Sequence, residues 1–161
     1  MSNIKKRAEF LQKELPNITA FLNEFEYSKS SIKPKIVVGG NWEYLRIDNF
    51  PLPDKYSPDY EDIGIVTLDY PDFGPAGIHL YNSSPNLSRI RTDIGHVIPD
   101  PSTLPDQNYQ TYVDAMPGWT WICFHYSGWR WNFNPNNMML GDTIHKYIIS
   151  LYSLLDGKFY D

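Results

Sequence analysis

A single cysteine, Cys123, stands in 161 residues. That excludes an internal disulfide framework and suits a reducing compartment. Long apolar runs are also missing: no stretch approaches the ~20 residues that would cross a bilayer as a helix. The opening Met-Ser-Asn-Ile-Lys-Lys-Arg is basic but lacks the apolar core of a signal peptide, so a cytoplasmic protein is expected. Positive charge is in short supply, with 14 Lys and Arg against 19 Asp and Glu and a net charge of −5. A protein that grips nucleic-acid phosphates usually needs a basic face, which argues against a nucleic-acid partner. What is abundant is aromatic and proline: twelve Tyr, eight Phe, five Trp and thirteen Pro. Proline breaks helix interiors and interrupts central strands, so a long all-helical fold is excluded. The length fits one domain, 1–161, with a substantial core.

Ser2 or Asn3 can cap a helix to about Leu15, with Ile4, Ala8, Leu11 and Leu15 on one face. Pro16 should end or kink it, and Asn17 can restart a short helix from Ile18 to about Phe25. Candidate strands follow at Lys35–Val38, Glu43–Ile47 and Ile63–Asp69, with a shorter one at Ile78–Tyr81. Gly39–Gly40–Asn41 between the first two is a hairpin signal. Phe50–Pro58 is too proline-rich for regular structure, and residues 82–118 read as a long irregular segment, rich in Asn, Ser, Pro and Asp. Alternation then returns: Trp119, Trp121, Cys123 and His125 set against Thr120, Ile122 and Phe124 predict a strand over 119–125. A last helix should start near Leu140, with Asp142 at its start, and run to Leu155 before Gly157. A helix, a meander of about four strands and a closing helix imply an α+β domain with helices against an antiparallel sheet.

Chemically, a thiol is the natural acceptor for an acyl group near neutral pH, although a lone cysteine is commonly a packing residue. His125 follows Cys123 on the same strand face, ~6–7 Å away by strand rise, where it can activate the thiol or an incoming nucleophile. Its bland alternative is a half-buried histidine bonded to a neighbouring loop. A zinc site would need Cys123 and His125 joined by His79, His96 or His145 across distant loops, and no Cys-x-x-Cys pair exists, so no metal and no cofactor is expected. Asp59, Glu61 and Asp62 read as a solvated acidic loop. Trp129, Arg130 and Trp131 read as core first, with Arg130 outward.

The order of elements, with Ile122–Cys123–Phe124, Trp131, Pro135 and Ser153–Leu154–Leu155 in sequence, resembles the ubiquitin-conjugating (E2, UBC-fold) family. Leu15–Pro16, Phe50–Pro51–Leu52–Pro53, Tyr70–Pro71, Trp119 through His125 and Gly141–Asp142 bring it closer to the bacterial E2-like group called E2/UBC family protein E. The similarity covers roughly residues 8–156. It implies a UBC-like fold with an N-terminal helix, a four-stranded antiparallel meander and a C-terminal helix on the sheet. The implied activity is that of an E2-type carrier in a bacterial ubiquitin-like conjugation pathway, with Cys123 taking the modifier from an E1 as a thioester. The alternative is a catalytically silent module that binds the E1 or the ubiquitin-like protein. Lys5, Lys6 and Arg7 lie on the helix where E2 proteins commonly meet the E1. The His-Pro-Asn motif of typical E2 enzymes is absent; Ser84–Pro85–Asn86 is its nearest echo. Asn82, Asn86, Asn134, Asn136 and Asn137 remain candidates to support an oxyanion.

Overall fold

The computed structural model describes residues 3–25, 33–95, 109–124 and 131–157. Helix α1 (Asn3–Asn23) leads into five strands, β1 (Lys35–Val38), β2 (Tyr44–Pro51), β3 (Tyr60–Val66), β4 (Gly77–Tyr81) and β5 (Trp119–Cys123). Between β4 and β5 come α2 (Leu87–Ile94) and α3 (Tyr109–Asp114), and α4 (Ile144–Leu155) closes the described chain. The strands form one antiparallel sheet in the order β1-β2-β3-β4-β5. The expected α+β class therefore holds, but the sheet has five strands rather than four. The fifth is 119–123, where alternation predicts a strand; it pairs along β4, joining the meander at its edge after the two intervening helices.

Alternation gives the sheet two unlike faces. Leu45, Ile47, Ile63, Ile65, Ile78, Leu80, Ile122 and Phe124 point into the main core, where they meet Phe10, Leu11, Ile18 and Leu22 of α1 and Ile144, Tyr147, Ile148, Leu151 and Leu155 of α4. Ile90 and Ile94 of α2 join the same core. On the other face a smaller cluster, Val66, Tyr112 and Met116, lies under the α3 segment with Tyr44, Leu68, Ala76 and Trp119 around it.

Helix α1 continues through Pro16, where the sequence predicts an end or a kink. Pro16 and Gln12, whose carbonyl loses its intrahelical partner, both face solvent, so water can satisfy that group. The stripe Arg7, Leu11, Glu14, Ile18 and Leu22 meanwhile stays buried on one side, and packing against α4 outweighs the break. Strand β2 continues past Ile47 through a one-residue bulge, which carries Asn49 at φ 56° and lets Phe50 and Pro51 pair with Glu61 and Tyr60. Helix α4 begins at Ile144 rather than near Leu140. Thr143 is its N-cap, accepting the Lys146 N–H at 3.1 Å, and Gly157 takes φ 75° just past its end.

Candidate functional site

Cys123 is the last residue of β5 and lies opposite Gly77 of β4. By alternation it shares the second face with Trp119, Trp121, Gly77 and His79. A side chain at Gly77 would strike the Trp121 indole and the Ile122 carbonyl, so glycine there lets the two strands and the indole close up beside the cysteine. Just beyond, the Phe124 carbonyl accepts the Tyr147 hydroxyl at 2.9 Å, which ties the end of β5 to α4. Cys123 is only 3% exposed, and burial pushes its thiol pKa up to about 11. At neutral pH it is protonated, the opposite of the depressed pKa that marks a reactive thiolate. His125 lies outside the described residues.

The candidate oxyanion donors separate cleanly. Asn82 and Asn86 follow Tyr81, which pairs with Trp119, at the far end of the β4–β5 ladder from Cys123. Four residues of strand put that end roughly 13 Å away. Asn86 is also spent: its amide donates to the Pro58 carbonyl at 2.9 Å and to buried Glu61 at 3.3 Å, while the Ser84 hydroxyl donates to the same carboxylate at 2.5 Å. The nearest echo of a His-Pro-Asn motif is thus a strut between the β2–β3 connection and the start of α2. It also corrects the reading of Asp59, Glu61 and Asp62 as a solvated loop, since Glu61 and Asp62 sit in β3 and Asp62 accepts the Asn49 N–H of the bulge. The Asn134 side chain accepts the N–H groups of Asn136 and Asn137 in a local turn, both at 3.0 Å.

The segment 131–142 lies at the Cys123 end of the sheet. Trp131 donates through Nε1 to the Pro71 carbonyl at 2.7 Å, and its ring occupies the space a side chain at Gly74 would need. Phe133 packs edge-on against Phe10 and Tyr70. Gly141 presses against the backbone of Asn132 and Asn134, and Asp142, expected at or near the helix start, directly precedes the Thr143 N-cap and closes this loop by accepting the Asn132 N–H.

Beneath this loop lies a buried carboxylate that sequence reasoning missed. Glu14, 2% exposed, accepts the Tyr70 hydroxyl at 2.5 Å and the N–H groups of Ile144 and His145 at 3.1 and 2.8 Å. It caps α4 from α1, placing negative charge at the helix N-terminus. Burial raises its pKa, and the three donors pull it back down. A cleft of about 290 Å³ opens beside it, lined by Lys13, Asn17, Met138, Met139 and His145 among others. Burial lowers the His145 pKa, with Lys146 adding to the effect.

The expected basic patch on α1 is narrower than its three residues. Arg7 is buried, and its guanidinium donates to the carbonyls of Asn41 and Leu68 at 2.7 Å each, tying α1 to the β1–β2 turn. Lys6 reaches Asp72 at 2.6 Å, and Lys5 is exposed. No helix among the described residues is long and apolar enough to cross a membrane. Among those residues, too, no group of three or more His, Cys, Asp and Glu is placed to hold a metal ion. Comparisons with protein-family profiles, curated proteins and solved structures returned no match.

Proposed function

We propose that this chain is an E2-like module of a ubiquitin-like conjugation pathway that docks an E1 or a ubiquitin-like protein without carrying the modifier itself. The observation that carries the silent reading is the state of Cys123: buried, protonated at neutral pH and far from Asn82 and Asn86. A nucleophile for an E1 thioester must be reachable, whatever its pKa. The E2-like part rests on the order of helix, antiparallel meander and closing helix, and on contact between stretches of the resemblance that lie far apart in sequence. Tyr70–Pro71 meets Trp131, and the helix carrying Leu15–Pro16 caps the helix that follows Gly141–Asp142 through Glu14.

The second reading is the thioester carrier. It is favoured by the position of Cys123 as the last residue of β5, with Ile122 and Phe124 anchored in the core on either side.

One experiment separates the two. The protein is incubated with ATP and a bacterial E1 with its cognate ubiquitin-like protein, then resolved on a non-reducing gel, with complex formation measured in parallel by calorimetry. Binding without a reductant-sensitive adduct, while a control E2 is charged, supports the silent module. An adduct that Cys123→Ala abolishes establishes the carrier. Absence of both binding and adduct overturns the E2-like reading.

A further inference from the structure

His79 is the one described histidine with no exposed surface, and among the described residues neither ring nitrogen has a hydrogen-bond partner. It sits mid-strand in β4, with Gly64 of β3 on one side and Trp121 of β5 on the other. Above it lies the segment 109–118. Helix α3, only six residues long, inserts buried Tyr112, and Met116 follows it from the turn before β5. Met116 fills the notch left by Gly64, where any Cβ would collide with its sulfur. The Tyr112 hydroxyl hydrogen-bonds Asp69, beyond β3.

Among the described residues, no side chain facing the ring compensates a charge on it. From β2 come Arg46 and Asp48, paired with each other at 2.7 Å, and from β3 Gly64, Val66 and, at the strand's start, Asp62, whose carboxylate already accepts the Asn49 N–H. From β5 come Trp119, Trp121 and the protonated Cys123 thiol, and from β4 itself Gly77 and Tyr81. From the covering segment come Tyr112, bonded to Asp69, and Met116, while Asp114 is exposed. The backbone of Tyr112 and Val113 lies near enough to favour the charged ring slightly, without a hydrogen bond to it. Burial disfavours the imidazolium more than those two backbone groups favour it, and lifting the cover lets water solvate it.

We propose that the 109–118 segment is an acid-released cover over the second face of the sheet, with His79 as its trigger. Burial lowers the His79 pKa from the ordinary 6.5 to about 4. A proton therefore binds the open form more tightly than the closed one. Closure is fully supported above pH 6.5, loses about tenfold per pH unit as pH falls, and has lost all of this contribution by about pH 4. Over the whole window the opening equilibrium rises roughly 300-fold. The inference does not depend on the conjugation reading.

The test is amide hydrogen exchange on the full chain between pH 7 and 4, corrected for intrinsic exchange rates. In wild type, opening of the 109–118 peptide should rise steeply with acid while the β2–β3 peptide stays flat. In His79→Phe that slope should vanish, and His79→Leu serves equally where the larger ring disturbs folding. A parallel titration of the ¹³C-labelled His79 ring in the wild-type chain needs no variant. A midpoint near 4 that tracks the opening supports the device. Equal slopes in wild type and variant, joint opening of both peptides, or a ring that titrates near 6.5 with the cover closed would each overturn it.

Discussion

Two buried polar side chains on opposite faces of one sheet mark the difference between a strut and a switch. Glu14, on the α1–α4 side, is surrounded by donors: one hydroxyl and two backbone N–H groups converge on its carboxylate. His79, on the α3 side, has none. Both suffer desolvation, and the two pKa values move in opposite directions, up for the acid and down for the base, because burial disfavours the charged form of each. Their contributions to stability against pH are also opposite. With its folded pKa raised above the ordinary 4.5, Glu14 contributes fully below that value and progressively less as pH rises through its folded pKa. His79 contributes fully above 6.5 and loses that contribution as pH falls to about 4. The partnered group holds the α1–α4 face together, whereas the unpartnered one sits under the short 109–118 segment.

The contrast breaks most sharply at Glu14. Glu14→Ala strands three donors at the α1–α4 junction and should cost about 3–5 kcal/mol in urea unfolding, since each buried unsatisfied group costs about 1–3. Glu14→Gln, which keeps an acceptor, should recover more than half of that. A Glu14→Ala loss below about 1 kcal/mol would mean the α4 N-terminus is satisfied elsewhere. Next comes the core on the same face: Ile148→Ala, at a fully buried position, should cost about 2–5 kcal/mol. On the second face, Met116→Ala should cost about 2 kcal/mol, the low end for such a truncation, because a thin cover can settle into the space. Its effect should appear in local exchange of 109–118 before it appears in global unfolding; equal penalties for Ile148→Ala and Met116→Ala would erase the distinction between the faces. The smallest effect belongs to the surface. Lys6→Ala breaks an exposed pair with Asp72 and should shift stability by less than about 0.5 kcal/mol, so any loss of E1 binding it causes would report docking rather than folding.

Much of the frame was legible because periodicity carries it. The alternation in 119–123 and the spacing of Ile144, Tyr147, Ile148, Leu151 and Leu155 reported the faces those residues bury. Local signals failed where tertiary packing overrode them. Pro16 reads as a helix end, yet its ring and the carbonyl it frees both face water. Residues 87–94 read as loop because α2 buries only Ile90 and Ile94, too few to show a period. Site chemistry was harder still. Ile122–Cys123–Phe124 suggests a nucleophile, but exposure is a property of the assembled sheet. Arg7 and Glu14 look like ordinary charged positions on a helix, and only their spacing along the buried stripe 7, 11, 14, 18, 22 hints that both point inward. His79, in Ile-His-Leu at period two, reads instead as facing away from the main core, so its burial on the second face was not legible.

A silent module requires that Cys123 be withheld from chemistry in the native protein. The direct measurement is its alkylation rate by iodoacetamide at pH 7.5, in the folded chain and in denaturant. A thiol with a pKa of about 11 offers on the order of 10²-fold less thiolate than an ordinary cysteine near 8.5, and burial slows access further. The account predicts native alkylation slower by at least that factor, with full reactivity on unfolding. A native rate equal to the unfolded one would show an open, ionisable thiol and would restore Cys123 as the acyl carrier.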